Sequence, residues 1–139
     1  MLKTKIPLVL ALCTYGAQGA EGQIITLSCD GTVEAPVDLG TVEPGSPARD
    51  MSFVVHLGTG SSEFDGIELL LQNRAGDVSL KFQRDWRVPD AVYGHVDATL
   101  DRITGRLEVI KVLDEKRDGK WKQTNTVWEL SCKPAKPLF

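Results

Sequence analysis

Hydrophobic and polar side chains alternate along most of the chain between residues 23 and 133. A period of two is typical of β-strands that bury one face, and no stretch has the clear period of an amphipathic helix. Residues 64–73 are ambiguous, but Gly66 and the short apolar run favour a strand over a short helix. The pattern therefore predicts about seven strands, at residues 23–33, 51–57, 64–73, 78–83, 91–101, 106–113 and 120–133.

Short turns separate most of these predicted strands, which indicates an antiparallel meander. Residues 101–105 and 114–120 carry the Asp and Gly residues that favour hairpin turns. Residues 35–50 contain three prolines and are predicted to form a loop, and residues 84–90 a charged connection. A meander leaves two unpaired edges, so we expect the first and last strands to pair and close an all-β barrel or sandwich.

The first and last predicted strands each contain a similar short segment that ends in a cysteine. Residues 25–29 have the sequence ITLSC and residues 128–132 the sequence WELSC. Closure of the sheet brings Cys29 and Cys132 to one seam. If the first twenty residues are removed on export, Cys13 leaves with them and these two cysteines remain, and an even count in an exported chain favours a disulfide bond. A bridge across about 100 residues adds roughly 4–5 kcal/mol in the chain-entropy model. Two cysteines supply too few ligands for a zinc site.

The first twenty residues have the layout of a secretory signal peptide. Two lysines precede an apolar run at residues 6–12, which is too short to span a bilayer, and small residues follow it. We expect cleavage after Gly19 or Ala20, which leaves residues 21–139 as one secreted or periplasmic β-domain with an extended tail and no transmembrane segment. The alternative is lipidation of Cys13, which ends a sequence similar to a lipobox.

Charge and motifs exclude several classes of function. Removal of the signal peptide leaves 14 basic and 19 acidic side chains, so nucleic-acid binding is not expected. His95 and Asp97 share one strand face and His56 lies on another strand, an arrangement more typical of solvated faces than of a metal or acid–base site. No nucleophile elbow, phosphate-binding loop or dinucleotide motif is present, so we expect a protein without enzymatic activity, cofactors or metal ions.

Four aromatic side chains are the candidate ligand-binding residues: Trp86, Tyr93, Trp121 and Trp128. The mouth of a small barrel commonly takes an apolar ligand between aromatic rings. A competing interpretation places Trp128 in the core and Trp121 over a hairpin. We expect a binding module for a small apolar ligand or for a partner in the cell envelope. The alternative is a protein inhibitor that acts through an exposed loop, at residues 35–50 or 58–65.

Two parts of the sequence resemble known proteins. Residues 101–105 (DRITG) and 130–139 (LSCKPAKPLF), together with the signal peptide, resemble a group of short exported proteins of Gram-negative, alphaproteobacterial type. That resemblance implies an envelope location and β-structure, and it supplies no catalytic residues. Residues 29–31 (CDG) are similar to the start of the mature periplasmic C-type lysozyme inhibitors, which are small disulfide-bearing β-barrels. Residues 91–95 lack the order of that family's Ser-Gly-x-x-Tyr-like inhibitory stretch, so its activity is not carried over.

Overall fold

The structure is a computed structural model that describes residues 23–37, 41–42 and 45–135 of the 139-residue chain. The regular elements in these ranges are β-strands: β1 (Ile24–Glu34), β2 (Pro36–Val37), β3 (Thr41–Val42), β4 (Ser46–His56), β5 (Ser61–Phe64), β6 (Ile67–Leu71), β7 (Ser79–Val88), β8 (Val92–Asp101), β9 (Arg106–Arg117) and β10 (Lys120–Pro134). Within the same ranges, no helix has the length and apolar character needed to cross a bilayer. The predicted signal peptide and the end of the predicted tail lie outside the described residues.

Eight of the strands form a closed antiparallel barrel, in the order β1-β10-β9-β8-β7-β6-β5-β4. The two shortest strands, β2 and β3, form a separate two-stranded sheet. From β4 to β10, each barrel strand pairs with the next one in the sequence, so most connections are short turns between antiparallel neighbours. The predicted all-β antiparallel meander is confirmed. Of the two predicted forms, a barrel or a sandwich, the structure has the barrel.

β1 closes the barrel because it pairs with β4 on one side and with β10 on the other. Eight residue pairs join β1 to β10, and one of them places Cys29 directly opposite Cys132. Their Cα atoms are 4.1 Å apart and their side chains form a disulfide bond. Cys29 is fully buried, so the bridge lies on the inner side of the seam. The predicted link between the first and last strands is therefore confirmed.

The predicted strand at residues 64–73 is confirmed with narrower bounds as β6, and the structure adds one further strand, β5, directly before it. A tight turn at Asp65 and Gly66, which have φ angles of 51° and 75°, separates β5 from β6. β5 was not predicted because one of its inward positions is Ser62, a polar residue that the alternation assigned to a loop. β5 raises the number of barrel strands from the predicted seven to eight.

Two segments predicted to be irregular are also strands. Residues 46–50, assigned to a proline-rich loop, begin β4, and residues 84–88, assigned to a charged connection, complete β7. Both segments expose charged side chains on the outside of the barrel while their backbones pair with neighbouring strands. Their polar composition reflects a solvated outer face, and the backbone pairing with β1 and β8 makes these segments strands in spite of it.

Aromatic side chains fill the middle of the barrel. The ring of Phe53 lies 5.6 Å from that of Phe82, edge-on, and 6.2 Å from that of Phe64. Trp128 packs edge-on against Phe64 at 5.3 Å. Such distances and tilts are favourable for aromatic pairs. Ser62 is buried nearby in the barrel wall, and its hydroxyl has no hydrogen-bond partner among the described residues. With its middle packed, the barrel leaves room for a ligand toward its ends or on its outer surface.

At one end, the strands continue beyond the buried core. β9 has no fully buried residue after Val109, although it runs on to Arg117, and β8 has none before Gly94. β7 and β8 stay paired as far as Val88 and Val92, and β9 and β10 stay paired to their connecting turn. We call this four-stranded extension, residues 84–95 and 110–125, the hairpin end.

Candidate functional site

A cavity lies at the other end of the barrel, where β1 and β7 begin and where β4, β8 and β10 end. Its volume is about 350 Å³, at the lower end of the range of small-molecule sites. Six aliphatic side chains, five from strands and one from the residue after β4, form its wall: Ile25, Leu27, Val55, Leu57, Leu80 and Leu100. We call this space the aliphatic cavity.

The turn between β8 and β9 covers one side of the aliphatic cavity. Asp101 Oδ1 accepts hydrogen bonds from the backbone N–H groups of Ile103 (2.9 Å) and Thr104 (3.0 Å). These bonds, that from Thr104 most strongly, hold the pKa of Asp101 below its usual value, because they favour the charged carboxylate. The carbonyl of Gly105 accepts a hydrogen bond from Cys132 N (2.8 Å), which ties the turn to β10. The turn is therefore a preformed part of the wall.

Polar groups are concentrated on the same side of the cavity. Arg102 Nη1 donates to the backbone carbonyls of Ala75 (2.8 Å) and Asp77 (3.4 Å), so this side chain joins the β8–β9 turn to the loop that precedes β7. Ile103 lines the cavity and is nevertheless 79% exposed. An aliphatic interior with polar groups at one side suits a ligand with an apolar body and one polar end.

The structure separates the four aromatic residues predicted to bind a ligand. Trp128 is 8% exposed in the core, in agreement with the competing interpretation, and Trp86 is half-buried against Gly94. Tyr93 and Trp121 lie on the hairpin end and are 42% and 53% exposed. Among the described residues, those that line the aliphatic cavity include none of these four. The structure brings only Tyr93 and Trp121 together.

These two rings border a shallow depression of about 430 Å³ on the outer face of the hairpin end. Its other lining residues are Arg87, Asp90, Val92 and Asp114. Asp90, at the tip of the β7–β8 hairpin, accepts a hydrogen bond from Lys116 Nζ at 2.7 Å. We call this feature the aromatic depression, and it lies at the opposite end of β8 from the aliphatic cavity.

The predicted pair of His95 and Asp97 does share one strand face, and the structure adds Asp85 from β7. His95 Nδ1 hydrogen-bonds to Asp85, and Nε2 hydrogen-bonds to Asp97 at 2.6 Å. The bond to Asp85 is the main cause of a raised His95 pKa; partial burial acts in the opposite direction. The carboxylates bind opposite ring nitrogens and do not converge on one point. In the described part of the chain, no group of three His, Cys, Asp or Glu residues is arranged to hold a metal ion.

The two segments predicted as inserting loops of an inhibitor have different structures. Residues 58–60 form a tight turn that leads into β5, with a hydrogen bond from Gly60 N to His56 O (3.0 Å) and another between the Thr59 and Ser61 hydroxyls (2.8 Å). Of the segment 35–50, the described residues belong largely to β2, β3 and β4, while residues 38–40 and 43–44 lie outside the described ranges.

The aliphatic cavity was not predicted, because the candidate ligand-binding residues in the sequence were aromatic and the wall of the cavity is aliphatic. Its wall comes from inward positions at strand ends, where the period-two pattern continues with Leu, Ile and Val. The sequence contains one indication of the cavity. The inward residues in the middle of the barrel include large rings (Phe53, Phe64, Phe82 and Trp128), whereas the inward residues at these strand ends are aliphatic, such as Leu57 and Leu100. Which ends meet at one level depends on the stagger of the closed barrel.

No protein-family model, curated protein or solved structure matches the chain. The aliphatic cavity and the aromatic depression are therefore the features from which a function can be inferred.

Proposed function

We propose that this protein is a non-enzymatic, secreted or periplasmic binding module that holds a small aliphatic ligand in the aliphatic cavity. The observation that carries the proposal is the wall, which has five aliphatic side chains from four strands and a sixth from Leu57, directly after β4. These strands are fixed by the hydrogen bonds of a closed barrel and, at the seam, by the disulfide bond. A preformed wall reduces the conformational entropy lost on binding.

The chemistry of the wall restricts the ligand. Removal of hydrocarbon from water yields about 25 cal/mol per Å² of buried apolar surface, which is the main source of affinity in such a cavity. Asp101, Arg102 and Lys133 are the charged residues of the lining. They come from the β8–β9 turn and from the end of β10, so they favour a ligand whose single polar end lies on that side. A linear alcohol or acid of moderate chain length has this form.

The proposal is tested by titration with the neutral fluorophore N-phenyl-1-naphthylamine and by its displacement with decanol and decanoic acid. We expect saturable binding of the fluorophore and its displacement by both aliphatic competitors. Leu57→Trp places an indole in the cavity and is expected to weaken binding at least tenfold, because the added ring occupies the ligand's space.

Ile24→Trp is the matched control, because Ile24 lies on the neighbouring strand opposite His56, is 60% exposed and is not part of the cavity lining. It adds the same ring outside the cavity and should leave the affinity unchanged. Far-ultraviolet circular dichroism establishes that both variants are folded. The proposal is wrong if the wild-type protein shows no saturable binding, or if both variants bind as the wild type does.

A further inference from the structure

We propose that the aromatic depression is a carbohydrate-binding site for a neutral oligosaccharide, independent of the ligand in the aliphatic cavity. Four side chains carry the site: Arg87, Tyr93, Asp114 and Trp121. They come from four consecutive strands of the hairpin end, so one rigid sheet positions all of them.

The strand register fixes their arrangement. Arg87 lies opposite Tyr93, Tyr93 opposite Asp114, and Asp114 opposite Gln123, which gives one row across the sheet. Trp121 follows two residues away on β10 and therefore points to the same face. From strand spacing and rise, the Cα atoms of Tyr93 and Trp121 are about 12 Å apart. The two rings are thus far enough apart to contact different sugar units of one chain.

The polar groups of this row are available for a ligand. Within the described part of the chain, the side chains of Arg87 and Asp114 make no hydrogen bond or ion pair with other residues. Tyr93 on β8 lies between Arg87 on β7 and Asp114 on β9, so the guanidinium and the carboxylate are two strands apart. A guanidinium offers only donors and a carboxylate only acceptors, so hydroxyl groups, which donate and accept, are satisfied by both.

The charge balance favours a neutral ligand. Arg87 and Asp114 offset each other, and Asp90 is paired with Lys116. A site without net charge gives no electrostatic preference to a polyanion or a polycation. Two exposed aromatic faces provide flat apolar surfaces, and the C–H faces of pyranose rings with equatorial substituents are flat and apolar. A β-1,4-linked oligosaccharide of glucose or N-acetylglucosamine combines such faces with hydroxyl groups along its edges.

A protein partner is the rival occupant, because Trp, Tyr and Arg are enriched at the energetic centres of protein interfaces. A specific protein interface buries about 800 Å² on each partner, centred on a well-packed apolar patch. The aromatic depression instead alternates exposed rings with unpaired charged groups. A sugar chain also alternates apolar faces with hydroxyl-bearing edges. It therefore fits this surface better than the apolar core of a protein interface does.

The test uses saturation-transfer NMR and isothermal titration calorimetry with chitotriose, cellotriose and maltotriose on the full mature chain. We expect saturable binding of chitotriose or cellotriose, with saturation strongest on the ring protons of the apolar face. Trp121→Ala and Tyr93→Ala should each weaken binding at least tenfold. Asp114→Asn should also weaken it, because a neutral amide is a poorer partner for hydroxyl donors than a carboxylate.

Leu70→Ala is the matched control, since Leu70 is 53% exposed, as Trp121 is, and lies on β6 outside the depression. It should bind sugar as the wild type does, and so should Leu57→Trp, which alters only the aliphatic cavity. The proposal is overturned if none of the three oligosaccharides binds saturably or if Trp121→Ala binds like the wild type. Capture of an envelope protein that Trp121→Ala loses, without any sugar binding, would assign this face to a protein partner instead.

Discussion

His95 on β8 is held at both ring nitrogens by carboxylates. Asp85 lies directly opposite on β7, and Asp97 is two residues further along β8. The third strand that faces His95 is β9, whose opposite residue, Val112, carries no charge. When the ring is protonated, both nitrogens donate to carboxylates at once. The bond to Asp85 is therefore the main reason that the pKa of His95 is raised above 6.5.

The cluster of His95, Asp85 and Asp97 makes a small part of the free energy of unfolding depend on pH. Because the folded pKa of His95 is raised, its contribution is fully present below about pH 6.5 and is lost as the pH rises through the folded pKa. We expect urea unfolding to show His95→Gln less stable than the wild type near pH 5.5, by less than about 1 kcal/mol, because Asp85 and Asp97 are 61% and 42% exposed.

The difference between wild type and variant should shrink toward pH 8.5, and high salt should reduce it. Wild-type His95 should also titrate above 6.5 when its ring protons are followed by NMR. A stability difference that stays constant across this pH range would show that the substitution acts through packing and that the charge of the ring contributes nothing.

Strand pairing explains which elements the sequence could predict. The strands with a clean alternation, such as β8 with its inward Val96, Ala98 and Leu100, were predicted with nearly correct bounds. The predictions failed where an inward position is polar, as at Ser62 in β5, or where charged residues outnumber apolar ones, as in residues 84–88 of β7. In those segments the strand is set by backbone pairing with the neighbouring strands, and the side-chain pattern alone does not contain that pairing.

Trp86 on β7 packs closely against the glycine that lies opposite it on β8, Gly94. A Cβ atom at Gly94 would overlap the indole ring. We expect Gly94→Ala to lower the free energy of unfolding by about 1–3 kcal/mol, because the indole must leave its position. Urea denaturation measures the loss, and tryptophan emission should move to longer wavelength.

Gly76→Ala is the control for this substitution. Gly76 lies in the loop before β7, and a Cβ atom there would meet nothing within 4 Å. Its effect should stay within about 0.5 kcal/mol, as for other surface changes. If Gly94→Ala proves as mild as Gly76→Ala, the contact between Trp86 and β8 is loose and the hairpin end is less rigid than its geometry indicates.

Closure of the whole sheet was predicted from the two unpaired edges of a meander, and the cysteines of the first and last strands were expected to meet at the seam. The register of β1 with β10 confirms that seam, since Cys29 and Cys132 lie opposite each other. The two binding features were not predicted as they stand. The aliphatic cavity combines residues as distant as Ile25 and Leu100, and the aromatic depression combines Arg87 with Trp121. The aliphatic cavity depends on the stagger of the closed barrel, and the aromatic depression depends on the register of four consecutive strands. A single-sequence pattern specifies neither.

The disulfide bond is expected to stabilise the barrel mainly by restricting the unfolded chain. The bridged residues are 103 positions apart, and the chain-entropy model gives about 4–5 kcal/mol for such a loop, before any enthalpic correction. Because eight backbone pairs already join β1 to β10, the double variant Cys29→Ala/Cys132→Ala should still fold into the barrel. Its free energy of unfolding should fall by about 2–4 kcal/mol.

Urea unfolding at neutral pH distinguishes this account from one in which the bridge acts by packing. Without the bridge the unfolded chain expands, so the dependence of the unfolding free energy on urea should become steeper in the double variant. Wild-type protein reduced and alkylated after unfolding should show the same steeper dependence. An unchanged slope together with a loss of stability would mean that the buried Cys29 side chain contributes chiefly through contacts inside the barrel. Failure of the double variant to fold would mean that the β1–β10 register needs the covalent bond to form.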